Sequence, residues 1–571
     1  MPSALDQLIE QGLDAVIGEG KMFQLGTIEK YGQTLPVIAN APPSLPFYFA
    51  YFCQQHAAVE FIIDGDERLT FGDVYARATD FARALVDGFG LAKGDRVGIA
   101  MRNAPSWVVA YMGTLMAGGV ATLLNGWWQG AELVAGIEDA GCRLVVADGP
   151  RAGRIEAAGI DHGAEIVVLD LTLPIAEAIA PVTNRGGSAD TQLPMVIGDD
   201  LATILFTSGS TGQSKGAFST HRGVVQGTFN YIIQTAGIVH VLTMTGNPPS
   251  GQASTLLNVP LFHVTGEVPV FLQSFAIGRK LVLMPKWDAE EAMRLIEKEK
   301  ITYFVGVPLM SYEMLIHPNR DKYDLSSCKT FAAGGAPRPK DHVDRLAKGM
   351  GGGLPVLGYG LTETNGIGCG NLNDNYIAKP DSTGPASKPL VDLAIIDDAG
   401  NVLPQGQIGE VSIRSIANFE GYWGNHAATE AAFTSDGRFR TGDLGYLDED
   451  GYLFIVDRKK DIIIRGGENI SCPEVESAIY GHTAIAECSV FGLPDERLGE
   501  IVGAVVRYKP GEAVGEESLR AFLAERLAAF KCPAVIWEAS EQLPVLGTGK
   551  LDRVGIRKAY RERYESEKAV A

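Results

Sequence analysis

The sequence contains, between an apolar run and a lysine, the stretch Thr203-Ile-Leu-Phe-Thr207-Ser208-Gly209-Ser210-Thr211-Gly212-Gln213-Ser214-Lys215-Gly216. The apolar residues at its start predict a buried strand. The glycines that follow allow backbone N–H groups to approach a phosphate, the hydroxyls add donors, and the lysine adds a positive charge. The stretch therefore predicts a strand that ends in a polyphosphate-binding loop.

This loop differs from the common P-loop motif of nucleotide-binding proteins. Ser214 stands where that motif has its second glycine, and Gly216 follows Lys215 where a serine or threonine would open a helix. The glycines alone would be compatible with an ordinary surface loop between two strands. The complete string of hydroxyls, glycines and lysine favours a phosphate site.

Length and composition indicate a large multidomain enzyme. The chain has 571 residues, which is too long for one core and predicts two or more domains. Its composition, 46% hydrophobic and 21% charged, is ordinary for an enzyme. The net charge of -20 argues against nucleic acid or an anionic membrane as a partner. The seven cysteines are scattered without a C-x-x-C pair, which favours free thiols in a reducing compartment and predicts a cytoplasmic location.

One segment has nearly the length of a membrane span. Trp107 to Leu124 carries no charge over 18 residues. Gly113 and the pair Gly118-Gly119 interrupt it, so we predict a buried helix followed by a strand, and no membrane span. Residues 1–24 contain acidic side chains and no continuous apolar run, which argues against a signal peptide.

The order of apolar runs predicts the fold class. Strand-like and helix-like segments alternate from about residue 68, for example a strand at Arg96–Met101 and a helix at Asp288–Lys300. This alternation predicts an α/β fold with parallel sheets. Short strands with Gly, Pro and Asp turns between Pro385 and Arg414 predict a small β-barrel instead.

We expect four segments along the chain. They are an N-terminal extension (1–45), a large N-terminal domain (46–456), a hinge (457–461) in a charged run, and a small mobile α+β C-terminal domain (462–571).

Further strings carry candidate chemistry. In Gly358-Tyr-Gly-Leu-Thr-Glu-Thr364 a ring can stack on a base, a threonine can bond a phosphate and a carboxylate can hold Mg²⁺. In Thr441-Gly-Asp443 a carboxylate on a tight turn can accept ribose hydroxyls. Each string alone is more often a plain turn, and their order and spacing along the chain give them weight.

Together with the phosphate loop, Asp457-Arg-Lys-Lys-Asp461 and Gly549-Lys550, these strings resemble the motifs of the adenylate-forming superfamily, from about residue 45 to about residue 560. Ser214 departs from that family, which usually has proline there. Within the superfamily, the resemblance is to the acyl-CoA synthetase family. It implies two half-reactions: a carboxylate attacks ATP to give acyl-AMP and pyrophosphate, and a thiol then displaces AMP. It also implies ATP, Mg²⁺ and CoA as ligands.

The resemblance assigns roles by position. The residues that would bind the β- and γ-phosphates are Thr207, Ser208, Gly209, Ser210, Thr211, Gly212 and Lys215. The adenine site goes to Gly334, Gly335, Ala336, Tyr359 and Gly360, and the ribose to Asp443 and Arg458. Thr362 would contact the α-phosphate, and Glu363 would bind Mg²⁺.

The same resemblance makes Lys550 the catalytic lysine, because an ammonium between the acid and the α-phosphate offsets the repulsion of two anions. It places His263 near the carboxylate and Lys460 at the hinge. Gly466 and Gly467 would close on the pantetheine arm of CoA. A lone histidine among apolar residues is otherwise a core residue, so His263 depends on the family position.

The acid is the least determined part of the prediction. The expected pocket segments, among them 264–268 and 358–370, offer only Glu267 and Glu363 as charged residues, and Gly366, Gly368 and Gly370 leave space. We therefore expect an apolar acid, a medium- or long-chain fatty acid, with an aryl or steroid-like carboxylate as the alternative.

Other readings of the motifs stay open. A luciferase-like oxygenase would share every motif, and a non-catalytic nucleotide-binding homologue is the alternative of a different class. A peptide-synthetase module is disfavoured because no carrier domain follows. A homodimer, and a lysine acetyltransferase acting on Lys550, are further expectations.

Overall fold

The computed structural model describes residues 3–207, 214–334, 340–459, 461–465, 468–546 and 550–570. In these ranges the strands are β1 (Leu25–Lys30), β2 (Gln33–Ile38), β3 (Glu60–Asp64), β4 (Glu67–Thr70), β5 (Arg96–Ala100), β6 (Val120–Leu123), β7 (Leu144–Asp148), β8 (Glu165–Leu169), β9 (Leu201–Thr207), β10 (Lys215–Thr220), β11 (Ser254–Leu257), β12 (Lys280–Leu283), β13 (Tyr303–Gly306), β14 (Thr330–Gly334), β15 (Leu354–Gly360), β16 (Gly368–Leu372), β17 (Ser382–Gly384), β18 (Asp392–Ile396), β19 (Gly409–Arg414), β20 (Gly421–Tyr422), β21 (Phe439–Leu447), β22 (Leu453–Arg458), β23 (Ile463–Arg465), β24 (Glu468–Ile470), β25 (Ile485–Asp495), β26 (Gly499–Tyr508) and β27 (Val535–Glu538).

The α-helices of the same ranges are α1 (Ala4–Val16), α2 (Leu45–Gln55), α3 (Phe71–Phe89), α4 (Pro105–Met116), α5 (Gly130–Ala140), α6 (Gly149–Ala158), α7 (Ile175–Ala178), α8 (Ala180–Thr183), α9 (His221–Met244), α10 (Gln273–Ala276), α11 (Ala289–Glu299), α12 (Pro308–Ile316), α13 (Lys340–Gly349), α14 (Asn373–Ala378), α15 (His426–Ala432), α16 (Cys472–Tyr480), α17 (Glu516–Ala524) and α18 (Arg553–Val570). A π-helix spans Gly266–Leu272, and 3₁₀ turns span Arg320–Lys322 and Thr362–Thr364.

Two large sheets form the body of the protein. One has the order β20-β10-β9-β6-β5-β7-β8, and the other β16-β15-β14-β13-β11-β12-β3-β4. Their inner strands pair in parallel, whereas the β9–β10 pair and the edge pairs β15–β16 and β3–β4 are antiparallel. Inner strands such as β7 are buried along their whole length, as expected for a parallel sheet covered on both faces. The predicted parallel α/β class is confirmed.

Local signals in the sequence account for several helices. Thr70 caps α3, and its hydroxyl accepts from the backbone N–H of Asp73 at 3.1 Å while the Asp73 carboxylate accepts from the backbone N–H of Thr70 at 3.0 Å. The uncharged segment from Trp107 forms the fully buried α4 and then β6. Gly118 lies between them with φ +77°, a left-handed conformation that glycine adopts without strain. In the part of the chain that the structure describes, no helix is long and apolar enough to cross a bilayer.

Two five-stranded sheets complete the fold. The region in which a small β-barrel was expected contributes to an antiparallel sheet with the order β17-β22-β21-β19-β18. The second sheet, β24-β23-β26-β25 with β27 beside β26, lies beyond the predicted hinge and carries α16 and α18 against β25. Lys460, the predicted hinge residue, lies outside the described residues. Asp461 accepts a hydrogen bond from Arg557 of α18 at 2.8 Å.

The described part of the N-terminal segment, residues 3–45, packs on helix α9 and on neighbouring parts of the large domain. Helix α1 crosses α9 so tightly that a Cβ on Gly12 would come within 2.4 Å of the Gly237 carbonyl oxygen. Asp6 of α1 accepts hydrogen bonds from Tyr452 at 2.8 Å and from Asn375 at 2.9 Å. The N-terminal segment is thus part of the wall of the main cleft, and the bounds of the four predicted segments stay predictions.

Candidate active site

The predicted phosphate loop connects two antiparallel strands. Thr207 ends β9 and lies opposite Lys215, the first residue of β10. The Ser214 hydroxyl donates to the Thr207 carbonyl at 2.8 Å, which closes the base of the loop. Residues 208–213, and with them the predicted ligands Ser208, Gly209, Ser210, Thr211 and Gly212, lie outside the described residues. Thr207 and Lys215 both line the main cleft.

The Lys215 ammonium has an aromatic neighbour that connects it to the predicted Mg²⁺ residue. It lies 4.9 Å from the ring centroid of Tyr422, and the Tyr422 hydroxyl donates to Oε1 of Glu363 at 2.8 Å. Glu363 is buried, and burial raises its pKa. Thr362 and Glu363 sit in the short 3₁₀ turn that follows Gly360, where they line the cleft beside the end of β15.

Glu363 is a suitable but single Mg²⁺ ligand. In the described ranges no group of three or more His, Cys, Asp or Glu side chains could hold a metal ion. A carboxylate supplemented by phosphate oxygens and water is the usual Mg²⁺ environment in nucleotide sites. The residues present therefore fit an ion that enters with a nucleotide.

Tyr359 and Arg458 fix the carboxylate of Asp443. The Tyr359 hydroxyl donates to Oδ2 at 2.7 Å, and Arg458 Nε donates to Oδ1 at 3.1 Å. Asp443 is buried, and this burial raises its pKa against the opposing effects of Arg458 and Tyr359. The trio joins β15, β21 and β22, so the two motifs that the sequence separates by about 80 residues meet at one wall of the cleft.

The predicted adenine residues are placed in part. Gly334 ends β14 and lies beside Gly358 of β15 in parallel register. A Cβ added to Gly358 would have no atom within 4 Å, so space is open there. A Cβ added to Gly360 would collide with the backbone of Gly366. Gly335 and Ala336 lie outside the described residues.

Lys550, near the C-terminus, and His263, near the middle of the chain, both line the main cleft. His263 Nδ1 accepts from the backbone N–H of Thr265 at 3.2 Å. Burial, with a smaller contribution from the nearby Lys550 charge, lowers the pKa of His263 to about 3. Burial and then Arg458 lower the pKa of Lys550 to about 8, against the effect of Asp443. The site thus pairs a neutral imidazole with an ammonium group at pH 7. Gly547, Thr548 and Gly549 lie outside the described residues.

An apolar cavity continues from this centre. The combined cleft has a volume of about 2910 Å³. Part of its lining is apolar and is formed by Leu5, Ile9, Leu13, Tyr231, Ile238, Leu242, Val264, Pro269 and Ile277, with Asp6 and Glu10 of α1 on the same cleft. Gly366 opens onto it with φ +80°, and Val264 and Tyr231 lie nearby. Gly368 serves a different purpose, because a Cβ there would strike the Tyr359 carbonyl at 2.4 Å.

Glu267 belongs to an expected pocket segment but is not among the residues that line the cleft. Glu267 is fully buried and accepts a hydrogen bond from Tyr111 at 2.7 Å, away from the cavity walls. A buried charged group that lines the cleft, Arg279, was missed by sequence reasoning. The only sign of this residue in the sequence is a pair of adjacent cations, Arg279 and Lys280, at the start of an otherwise apolar strand.

Comparison with known proteins agrees with this arrangement. Residues 49–423 match the AMP-binding enzyme family, and residues 474–550 match the AMP-binding enzyme C-terminal domain. A long-chain-fatty-acid–CoA ligase of Bacillus subtilis is 34% identical over 518 residues, 85% of this chain and 89% of that protein. A Rhodococcus jostii ligase for 3-[(3aS,4S,7aS)-7a-methyl-1,5-dioxo-octahydro-1H-inden-4-yl]propanoyl-CoA is 31% identical over 90% of this chain and 98% of its own length.

Solved structures show the same fold. ATP-bound MatB from Rhodopseudomonas palustris superposes with a TM-score of 0.79 at 28% identity, covering 90% of this chain and 99% of that one. A fatty acyl CoA synthetase of Mycobacterium tuberculosis gives 0.70 at 30% identity, covering 91% and 99%. The chain belongs to the AMP-binding enzyme family, within the adenylate-forming superfamily, as an AMP-forming acid–thiol ligase.

Proposed function

We propose that this acyl-CoA ligase activates a carboxylic acid with an extended apolar body, a medium- or long-chain fatty acid, through acyl-AMP and then the CoA thioester. The observation that carries the proposal is one cleft that joins the base of the phosphate loop, the Lys550 ammonium and an apolar cavity. A nucleotide and an apolar acid would meet at Lys550.

In the first half-reaction, a carboxylate oxygen of the acid attacks the α-phosphorus of ATP, and pyrophosphate leaves. Lys550 would lie between the two anions, where its charge offsets their repulsion and stabilises the negative charge of the transition state. Lys215 and Thr207 would hold the β- and γ-phosphates, and Thr362 the α-phosphate. A Mg²⁺ ion held by Glu363 would neutralise part of the triphosphate charge.

The remaining side chains would orient the reactants. Asp443, fixed by Tyr359 and Arg458, offers a carboxylate to the ribose hydroxyls. The neutral His263 has its Nδ1 occupied by the Thr265 N–H, which leaves Nε2 as the donor toward an acid carboxylate. An imidazole without charge positions the nucleophilic carboxylate without lowering its reactivity through an ion pair.

The second half-reaction requires CoA in the same cleft. Its thiolate would attack the acyl carbonyl, and AMP would leave. Rotation at Lys460, closure of Gly466 and Gly467 on the pantetheine arm, a cytoplasmic homodimer, and acetylation of Lys550 stay predictions from the sequence. Lys550 lines the cleft, so we expect its acetylation to require a more open arrangement of the cleft.

The nature of the acid is proposed from the cavity and from the relatives. Much of the lining contributed by α1, α9 and the segment after His263 is apolar, which suits a fatty chain. Relatives of similar identity are named for long-chain fatty acids, ferulate and a bicyclic dioxo-propanoate, so an aryl or ring-bearing acid is the alternative.

A panel of acids tests the proposal. The purified protein is given ATP, Mg²⁺ and one acid at a time, and pyrophosphate release and CoA thioester are measured separately. We expect both products with straight-chain acids of medium or long length, and neither without acid. Turnover confined to aryl or ring acids would replace the fatty-acid assignment, and pyrophosphate release with no thioester would refute the ligase activity.

A further inference from the structure

The acyl cavity contains a buried cation. The residue Arg279, which directly precedes β12, is only 5% exposed, yet its side chain forms part of the cavity wall beside Gln273 and Tyr303. A guanidinium keeps its charge at any physiological pH, so its removal from water carries a large cost unless an acceptor compensates for it. The position therefore needs an explanation.

The contacts of Arg279 hold the guanidinium in place without neutralising it. Nη2 donates to Oε1 of Gln273 at 3.1 Å, and Nη1 donates to the Pro269 carbonyl at a long 3.4 Å. The guanidinium also lies 5.1 Å from the ring centroid of Tyr303. All of these partners are neutral.

Gln273 is itself fixed in the orientation that serves Arg279. Its Nε2 donates to the Thr235 hydroxyl at 2.7 Å and to the Tyr231 carbonyl at 3.1 Å. Its oxygen must therefore face Arg279. The Tyr231 hydroxyl in turn donates to the Gly366 carbonyl at 2.5 Å, so Tyr231 contacts both Gln273 and the segment that follows the Gly358–Thr364 string.

Other buried arginines of the protein are neutralised. Among the described residues three arginines are buried, and two have carboxylates: Arg151 with Asp148 at 3.0 Å and Arg438 with Asp392 at 2.9 Å. For Arg279 no described carboxylate lies within salt-bridge distance, and burial lowers its pKa to about 10. The adjacent Lys280 pairs with Glu299 at 3.0 Å, so that carboxylate is engaged elsewhere.

We propose that Arg279, held by Gln273, binds a second carboxylate at the far end of the acid, so that the preferred substrate is a dicarboxylic acid with an apolar middle. The first carboxylate would react near Lys550 and His263, the apolar walls would cover the middle of the chain, and the second carboxylate would supply the missing counter-charge. A planar guanidinium with free N–H donors suits a carboxylate in two-point contact. This inference rests on the proposed acyl-CoA synthetase function.

Matched acids test it directly. Pyrophosphate release is measured for a homologous series of straight-chain dicarboxylic acids and for monocarboxylic acids of equal carbon number. We expect the wild-type protein to favour one member of the dicarboxylic series, with Arg279→Met lowering kcat/KM for that acid about 100-fold, mainly through KM. Arg279→Met should leave the monocarboxylic acid unaffected or improved, and Arg294→Met, on the exposed face of α11, should change neither.

A second variant keeps the arginine and removes its free charge. Gln273→Glu preserves the shape of the side chain and places a carboxylate next to the guanidinium. We expect unchanged turnover of the monocarboxylic acid and loss of the dicarboxylic preference; the gain of an ion pair with Arg279 is offset in Tm by the lost donation to the Tyr231 carbonyl. This variant covers the case in which Arg279→Met does not fold.

The outcomes separate this inference from the proposed function. The role of Arg279 would be overturned if the wild-type protein used monocarboxylic acids equally well or better. It would also be overturned if the dicarboxylic preference survived both Arg279→Met and Gln273→Glu. Either result would leave the ligase activity intact. Absence of pyrophosphate release with every acid would overturn the ligase itself. Stabilisation by the dicarboxylic acid without ATP, seen as a Tm increase in wild type and absent in Arg279→Met, gives support independent of turnover.

Discussion

His263 and Lys550 line the same cleft, and burial of the histidine, with a smaller contribution from the Lys550 charge, holds the pKa of His263 down to about 3. Nearly 290 residues separate the two in sequence, and the residues after the predicted hinge bring the lysine into the site where the large sheets hold the histidine. The arrangement suits the step in which carboxylate and triphosphate meet, and it makes the two half-reactions separable by mutation.

Lys550→Ala should lower acyl-AMP formation about 100- to 1000-fold, because the step that brings two anions together loses its positive charge. Thioester formation from supplied acyl-AMP should be largely retained, since the phosphoryl transfer is then complete. Pyrophosphate release and thioester formation are measured separately. Lys531→Ala, which removes a partly exposed ion pair with Glu474, is the control. Equal losses in both steps would show that Lys550 is structural.

The lowered pKa of Lys550 predicts how kcat/KM for adenylation changes at alkaline pH. The pKa of Lys550 in the free site is about 8, lowered by burial and Arg458. Only the protonated form carries the charge, so kcat/KM for adenylation should fall as pH rises through about 8. Bound ATP and acid favour the ammonium, so the fall of kcat should lie at higher pH. In Lys550→Arg the fall of kcat/KM at alkaline pH should disappear, because the guanidinium stays charged. If the fall persists in this variant, another group causes it.

The sequence offers more candidate residues for the nucleotide site than for the acid site, and the reason is physical. The phosphate, base and ribose contacts that we propose lie in strings such as Gly358–Thr364, where glycine, hydroxyl and charged residues must occur in a fixed order. An acid cavity needs only apolar walls, which any core segment provides. Arg279 is a single residue without such a string, and its neutral partner Gln273 becomes visible only in three dimensions.

Glu267 shows that one residue of an expected pocket segment can lie away from the pocket. The segment 264–268 was expected at the pocket because it follows His263 in the sequence, and Val264 and Thr265 line the cleft while Glu267 does not. The backbone there forms a π-helix (Gly266–Leu272), which changes the direction of each side chain relative to an α-helix. Its partner Tyr111 is 156 residues away in the chain, so no local pattern could have indicated that contact.

The close crossing of α1 and α9 predicts an unusual response to alanine. Gly12→Ala improves helix propensity, but its Cβ would lie 2.4 Å from the Gly237 carbonyl oxygen. We expect the clash to dominate and to destabilise the fold by about 1–3 kcal/mol, with a lower Tm. Gly153→Ala in α6 has no atom within 4 Å of its Cβ and should stabilise by about 0.5–1 kcal/mol. Equal shifts for the two variants would show that α1 does not pack on α9 as described.

Glu267 predicts a pH dependence of stability. Burial, opposed by the hydrogen bond from Tyr111, raises the pKa of Glu267 to about 7, and its Oε2 has no partner among the described residues. In the unfolded chain the group titrates near its ordinary pKa of about 4.3. Between these values the unfolded state releases a proton that the folded state retains. The free energy of unfolding should therefore fall as pH rises from about 4.5 to 7, by an amount on the order of 3 kcal/mol.

Glu267→Gln keeps the shape and the acceptor for Tyr111 and removes the titration. Its Tm should be close to that of wild type at about pH 5 and progressively higher than wild type toward pH 8, because the wild-type protein alone must keep a buried carboxyl protonated or bear a buried charge. Thermal unfolding of both proteins across this range is the measurement, with the exposed Glu525→Gln as control. A Tm difference that stays constant with pH would show that Glu267 titrates normally and that its burial has no electrostatic cost.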